Sequence, residues 1–413
     1  MNDKNTGNFK KFLLLWSGAL ISSLGSGLTS FGLSVYVFNT TGSVTNMSLV
    51  TLLAFVPTLL LSVPAGVLAD RYDRRKLMMI GDGFSAMGIL YILICMLTGE
   101  ASLFEICVGV FISAVFSALL EPSYKATITD VLSKEEYSKA NGLVSMAGSA
   151  RYLFSPVIAG FLLGVSDVKL LLIIDISTFF VTLVSVAVVR KSIKATKTVK
   201  QESFAESIKG GWKALCVKRG ILILVVISSG VTLSMGMFQI LAEPLILSFS
   251  DAKTLGLSET VCAIGMLASG IVLGVRGLKK HYVKILAFSL CMAGIFMVGF
   301  GLKENIILIC TFGFLFFAAL PVANNCLDYL ARTNIPDEVQ GRAWGMIGLI
   351  SQLGYVIAYT VSGVSADMIG RVSGLGVGRG AALVIRMAGV ILAIVALLIL
   401  KPKSIRQLES INV

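Results

Sequence analysis

Charge is what this chain has least of. Of its 413 residues only 14% are Asp, Glu, Lys or Arg, while 56% are hydrophobic, and the mean hydropathy is +0.88. So few charges cannot cover the surface of a soluble globule of this length, which excludes the ordinary soluble classes. Histidine occurs once, as His281 in a short polar loop, and offers neither a catalytic dyad nor a metal site. The seven cysteines have no metal-ligand spacing. Six of them (Cys95, Cys107, Cys262, Cys291, Cys310 and Cys326) lie in apolar runs, and Cys216 lies in a polar segment. They read as small apolar filler. No phosphate loop of the Walker type is present, and the glycines at 374, 376, 378 and 380 do not fit a dinucleotide fingerprint. No enzyme chemistry and no cofactor are expected.

What the chain has instead is apolar runs. Each is about 20 residues or longer, enough as a helix to cross a ~30 Å hydrocarbon layer. Spans read at roughly 12–36, 48–69, 77–97, 103–125, 140–163, 168–189, 219–248, 258–275, 284–301, 306–331, 342–367 and 380–400. That is an all-α polytopic membrane protein with twelve transmembrane helices. The first run reads as a full span with no cleavage site after it. The net charge of +12 is explained by its location. With the N-terminus inside, 28 of the 35 Lys and Arg fall in inside segments and five (Lys169, Lys253, Lys303, Arg371, Arg379) in outside loops. Such an excess orients both termini to the cytoplasm of a plasma or inner membrane and calls for no nucleic acid.

The densest charge is the hinge between spans two and three, Gly66-Val67-Leu68-Ala69-Asp70-Arg71-Tyr72-Asp73-Arg74-Arg75-Lys76, where six of eleven residues are charged. The long polar stretch 190–218 divides the chain into a first six-span bundle (1–189) and a second (219–413). Within it, Phe204, Ile208 and Trp212, flanked by Lys209 and Lys213, have the spacing of a short surface helix or belong to a solvated linker. A shift of 203 residues lays Leu132, Glu135, Lys139, Ala140, Gly142 and Gly160 on Ile335, Glu338, Arg342, Ala343, Gly345 and Gly363. Six spans separate the members of each pair, so the two six-helix halves are parallel, the symmetry used by transporters that rock about a central site. At a shift of 204, Gly66 falls on Gly270 but Asp70 on Gly274, so an acidic latch at this hinge has no copy in the second half.

These features resemble the major facilitator superfamily across essentially the whole chain. Its loop signature Gly-X-Leu-Ala-Asp-Arg-X-Gly-Arg-Arg-Lys matches Gly66 to Lys76 except that Asp73 replaces the second Gly. Pro122 to Gly160, with Ala140-Asn141-Gly142 and Ser155-Pro156-Val157-Ile158-Ala159-Gly160, resembles the macrolide-efflux and siderophore-exporter branch of drug:proton antiporters. The resemblance implies the major facilitator fold and a conformational role for Asp70. It also implies that Arg71, Arg74 and Arg75 partner carboxylates or lipid headgroups. Span four lacks the Arg that many antiporters carry there, and span five has Ser155-Pro156 and one closing Gly in place of Gly-Pro and Gly-Gly.

Several residues are candidates for the mechanism. Asp70 ends span two, where an anion can face the positive end of a helix and latch one side shut. Arg74, Arg75 and Lys76 join that latch or only anchor the topology, and Asp82, early in span three, is expected to support the hinge. Arg151 and Asp175 fall near mid-membrane, where an unpaired charge costs ~2.5–3.5 kcal/mol on insertion scales. They either pair or line a cavity. Glu243-Pro244 joins a carboxylate to a helix-weakening proline. A cavity needs polar and aromatic groups: Ser22, Ser26 and Thr29 on one face of span one, Phe238 and Gln239, Phe314, Phe317, Asn324 and Asn325, and Gln352 and Tyr355. The expected activity is secondary active export of small amphipathic, drug-like molecules in exchange for protons, by a monomer. The alternatives are a dedicated exporter or flippase of a lipid-like or siderophore-like solute, and a non-transporting membrane sensor.

Overall fold

The computed structural model describes residues 2–133, 136–192, 212–213, 215–216, 219–278, 280–336 and 339–410. Phe204, Ile208 and Lys209 of the proposed surface helix, and the repeat pair Glu135 and Glu338, lie outside the described residues. Among those described there are helices and no strand. They are α1 (Asn2–Thr41), α2 (Val44–Arg71), α3 (Arg74–Thr98), α4 (Leu103–Ser117), α5 (Leu120–Val131), α6 (Tyr137–Val165) and α7 (Val168–Ser192), then α8 (Arg219–Leu247), α9 (Ala252–Arg276), α10 (Tyr282–Phe300), α11 (Ile306–Arg332), α12 (Gln340–Ser373), α13 (Val377–Leu398) and α14 (Lys403–Ser410). Twelve segments are long and apolar enough to cross a membrane. The helix ends bordering the hinge and the other basic loops are called the basic side below, and the other ends the opposite side.

Side chains satisfy the exposed N–H groups at several helix starts. Asp73 caps α3 through Arg75 N, Asp251 caps α9 through Thr254 N, and Asn305 caps α11 through Ile307 N and Leu308 N. Ser102 and Glu105 form a reciprocal capping box at α4. The turn into α2 uses Gly42 at φ 63°, and α12 ends on Gly374 at φ 67°, both in the left-handed region that glycine tolerates.

One departure from the expected spans has a local cause. Span four is broken at residues 118–119 into α4 and α5. Pro122 has no N–H to offer the Ala118 carbonyl, and its ring crowds that carbonyl, so the helix restarts with proline in its first turn. The C-terminal tail beyond the last span contains α14. Its Ile405 and Leu408 are buried, and Asn334 Nδ2 donates to Leu408 O at 2.9 Å.

The contacts divide the chain into unit 1, Met1–Thr41 with Leu49–Val199, and unit 2, Gly42–Ser48 with Lys200–Val413. In unit 1, α1 packs on α6 and α7, and α3 packs on α4 and α7. In unit 2, α8 packs on α12 and α13, and α10 on α11 and α13. The same pairing recurs six spans on, as parallel six-helix halves require. A hydrophobic cluster on the basic side of unit 1 joins Phe12, Leu15, Met78, Ile128, Val131 and Val189. Unit 2 has an aromatic core in which Phe238 stacks on Phe316 (4.6 Å between centroids) and meets Phe300 at 4.4 Å.

Small residues bring helices together, as lipid offers no hydrophobic drive for association. At Gly294 on α10 a Cβ would lie 2.5 Å from Gly389 O on α13, and at Gly389 one would lie 2.6 Å from Gly294 O. Gly294→Val is therefore expected to destabilise the protein by about 1–3 kcal/mol, the usual cost of overpacking, measured as lowered thermal unfolding in detergent. An unchanged transition would show that this contact is loose.

Candidate functional site

The hinge is a compact charge network within unit 1. Arg74 Nη1 donates to Asp130 Oδ1 at 2.6 Å, and Arg75 Nη2 to Asp130 Oδ2 at 3.4 Å. Arg74 also bonds the carbonyls of Ala69 and Ala126 at 3.2 and 3.0 Å. Arg75 is 1% exposed, so its cation depends on protein partners. Asp70 is half-buried, with Oδ1 3.9 Å from Arg74 Nη2. Asp73, which stands where the family signature has glycine, does two things. It caps α3 and accepts from Arg190 Nε at 3.1 Å, tying the hinge to the end of α7. Arg71 and Lys76 are exposed, and a Cβ on Gly66 would meet nothing within 4 Å.

Deeper in unit 1 a polar cluster lies between α1, α3, α6 and α7. Asp175 is 1% exposed and accepts from Ser26 Oγ at 3.4 Å. Thr29 Oγ1 approaches the same carboxylate without reaching hydrogen-bond geometry. Gly25 allows the approach: a Cβ there would lie 2.8 Å from Asp175 Oδ1. Arg151 and Asp175 attract each other electrostatically but form no ion pair at contact distance among the described residues. Arg151 Cγ instead flanks Gly27, beside Ser155. Asp82 is 1% exposed and within electrostatic range of Asp175. Its Oδ2 has no hydrogen-bond partner among the described residues. The structure thus sets Asp82 apart from the hinge ion pairs and toward the membrane-depth cluster. Ser22 is buried one turn from Ser26 on α1.

In unit 2, Tyr359 Oη donates to Gln239 Oε1 at 3.0 Å, and Tyr355 Oη to Met235 Sδ at 3.1 Å. Gln352 Oε1 is enclosed with no hydrogen-bond partner among the described residues. Glu243, Phe314 and Phe317 are half-buried, and Asn324 and Asn325 are exposed. Phe238, read as a cavity residue, is 3% exposed in the aromatic core, because Phe300 and Phe316 cover its ring.

Three acids in this framework were not singled out from the sequence: Asp130, Glu259 and Asp367. Glu259 is a half-buried carboxylate in α9 whose charge reaches Cys262. Each lay at or beyond an expected span end, and the observed helices extend past all three. The detectable signal was an acid within one or two turns of a long apolar run.

Twelve apolar spans, paired charges at the hinge and charges at membrane depth define a polytopic membrane carrier. The Major Facilitator Superfamily model matches residues 15–359, and the chain belongs to that family. It is 25% identical over 374 residues to "Macrolide efflux protein A" of Streptococcus pyogenes, covering 87% of this chain and 90% of that protein. It is 23% identical over 293 residues to the "Staphyloferrin A transporter" of Staphylococcus aureus, covering 68% and 72%. Among solved structures, a bacterial homologue of the iron transporter ferroportin in an inward-facing state aligns with TM-score 0.71 at 13% identity, over 93% of this chain and 99% of that one. The nucleoside transporter NupG aligns with TM-score 0.73 at 13% identity, over 95% and 100%. These last two likenesses carry the fold alone. The chain is a multi-pass membrane transporter and not an enzyme.

Removing the shared anion of the hinge takes an ion-pair partner from two arginines, one of them 1% exposed. Asp130→Ala is expected to cost about 3–5 kcal/mol, the range for breaking a buried ion pair from one side, read as lowered thermal stability. Asp130→Glu is expected to recover part of that loss. Wild-type stability in Asp130→Ala would mean the arginines find other partners.

Proposed function

We propose that this transporter is a secondary active exporter of amphipathic, drug-like molecules that works by alternating access in exchange for protons. One observation carries the reading: the buried Asp82 and Asp175 and the half-buried Arg151 share a cluster within the spans without a contact ion pair between Arg151 and Asp175. Charges are expensive in the membrane and mark substrate or ion pathways. A carboxylate beside others in such a place can release a proton on one side and regain it on the other. Export is supported by the likeness to Macrolide efflux protein A and to the "Multidrug efflux pump Tap" of Mycolicibacterium fortuitum.

The moving parts in this reading are residues 1–189 and 219–413, joined by 190–218, within a monomer. The excess of basic residues supports placing both termini and the hinge in the cytoplasm. There the exposed Arg71 and Lys76 would meet lipid headgroups, and the Asp70 carboxylate would serve as the latch. A second reading, export or flipping of one siderophore-like or lipid-like solute, draws on the likeness to the Staphyloferrin A transporter. It also draws on Arg151, which suits an anionic solute. A sensor without flux has no observation in its favour.

Two measurements test these readings. In proteoliposomes with an imposed pH gradient, flux of a macrolide-like probe is expected to follow the gradient, and Asp175→Asn to remove that dependence. Flux indifferent to the gradient would overturn proton exchange and leave the fold untouched. Arg151→Gln separates the substrate classes. Neutral amphiphiles should keep transport within about twofold, whereas an anionic solute should lose roughly the tenfold or more that one charge-assisted contact supplies.

A further inference from the structure

Residues Gly42–Ser48 turn from α1 into α2 and form the first turn of α2. This short stretch belongs to unit 2, whereas Leu49 onward belongs to unit 1. Asp367, on α12 near its opposite-side end and 5% exposed, holds it there. Its Oδ2 accepts from Ser43 Oγ at 2.6 Å, Thr45 Oγ1 at 2.7 Å and Thr45 N at 3.1 Å, and its Oδ1 accepts from Val44 N at 3.0 Å. Ser43 Oγ in turn accepts from Asn46 N at 3.3 Å. The carboxylate of one helix thus supplies the N-cap of another, with its charge set against the positive end of the dipole. Bonds from backbone N–H to an ionised acceptor are the stronger kind. Gly363, one turn earlier on α12, makes room: a Cβ there would lie 2.8 Å from both Thr45 Cα and Val44 O and would collide with Ser48 Oγ.

The unit boundary falls inside a continuous helix. The prolines of α2 are Pro57 and Pro64, well past Ser48–Leu49. Ser48 Oγ is tied back to Val44 O at 2.8 Å. No proline or glycine lies there to let the helix bend, so a motion of unit 1 would be carried along α2 to the contact with Asp367.

We propose that Asp367 is a releasable clamp that holds the first turn of α2 to unit 2, and that its release opens the opposite side during transport. Gly363 sets the distance and Asp367 supplies the bonds. This rests on the proposed proton-driven alternating access but not on the substrate. Unlike the hinge acid Asp70, the clamp acid lies at the other end of the spans and comes from the second half of the chain.

The test uses the full chain in proteoliposomes, with its native cysteines replaced and spin labels at Asp167→Cys in unit 1 and Lys303→Cys in unit 2, both exposed on the opposite side. Distances are read by pulsed electron resonance across a pH series. The Asp367-intact protein should show a short and a long population. Asp367→Ala should shift their ratio toward the long one by about five- to tenfold, the equilibrium change that a lost helix cap brings. Asp367→Asn, which keeps an acceptor without the charge, should fall between. Gly363→Ala should shift the ratio the same way by steric push, and it decides the matter if Asp367→Ala does not fold. An Asp367-intact protein that switches while Asp367→Asn and Gly363→Ala leave the ratio unchanged overturns the clamp alone. One that never switches overturns proton-driven alternating access, and the clamp with it.

Discussion

A cation that cannot reach water must be given an anion, and much of the basic side of unit 1 is arranged around that need. Arg75 is almost fully enclosed, and Asp130 is placed to meet both it and Arg74. Reaching Asp130 requires α5 to continue to Val131, which the break before Pro122 permits by redirecting span four. The same network draws in Asp73, whose backbone starts α3 and whose second oxygen receives Arg190 from α7. Loss of the glycine at position 73 is therefore a substitution with its own interactions. It exchanges backbone freedom for a cap and an ion pair.

At membrane depth the arrangement is different. At the hinge Arg74 and Arg75 meet Asp130 in contact ion pairs, whereas in the cluster of Asp82, Asp175 and Arg151 no contact ion pair forms among the described residues: Asp175 has one long bond from Ser26, and Asp82 Oδ2 has no hydrogen-bond partner among them. Unit 2 offers softer polarity, in the Tyr359–Gln239 pair and the enclosed Gln352. By contrast Phe238 belongs to the core that stiffens α8 against α10 and α11.

The twelve spans, the two parallel halves and the family were legible from hydropathy, the repeat and the hinge signature, because each is a statement about long windows or a fixed spacing. Individual partners were not legible. Asp130, Glu259 and Asp367 share one reason. A hydropathy window ends a span near its first charge, but backbone hydrogen bonding carries the helix on for another turn or two, and the charges in those turns become structural. Ser22, Ser26 and Thr29 were recognisable as a face of α1 by their period alone. That the face meets Asp175 depends on Gly25, whose missing side chain gives no sign in the sequence of which helix it admits. Phe238 fell in the core for a general reason: a phenylalanine in a span fills a core as readily as it lines a pocket.

The N-terminal turn of α2 and its acid partner are separated by more than three hundred residues, Val44 from Asp367 by 323. At roughly 5–20 residues per second of synthesis, about a quarter of a minute to a minute passes between making the first and making the second. Through that interval the beginning of α2 is inserted without its Asp367 partner, next to a first half that already has the residues of its own charge network. The contact has high sequence separation and closes late, after nearly all the chain exists. Until α12 is made, these donors of α2 lack the Asp367 carboxylate, and completion of α12 supplies it.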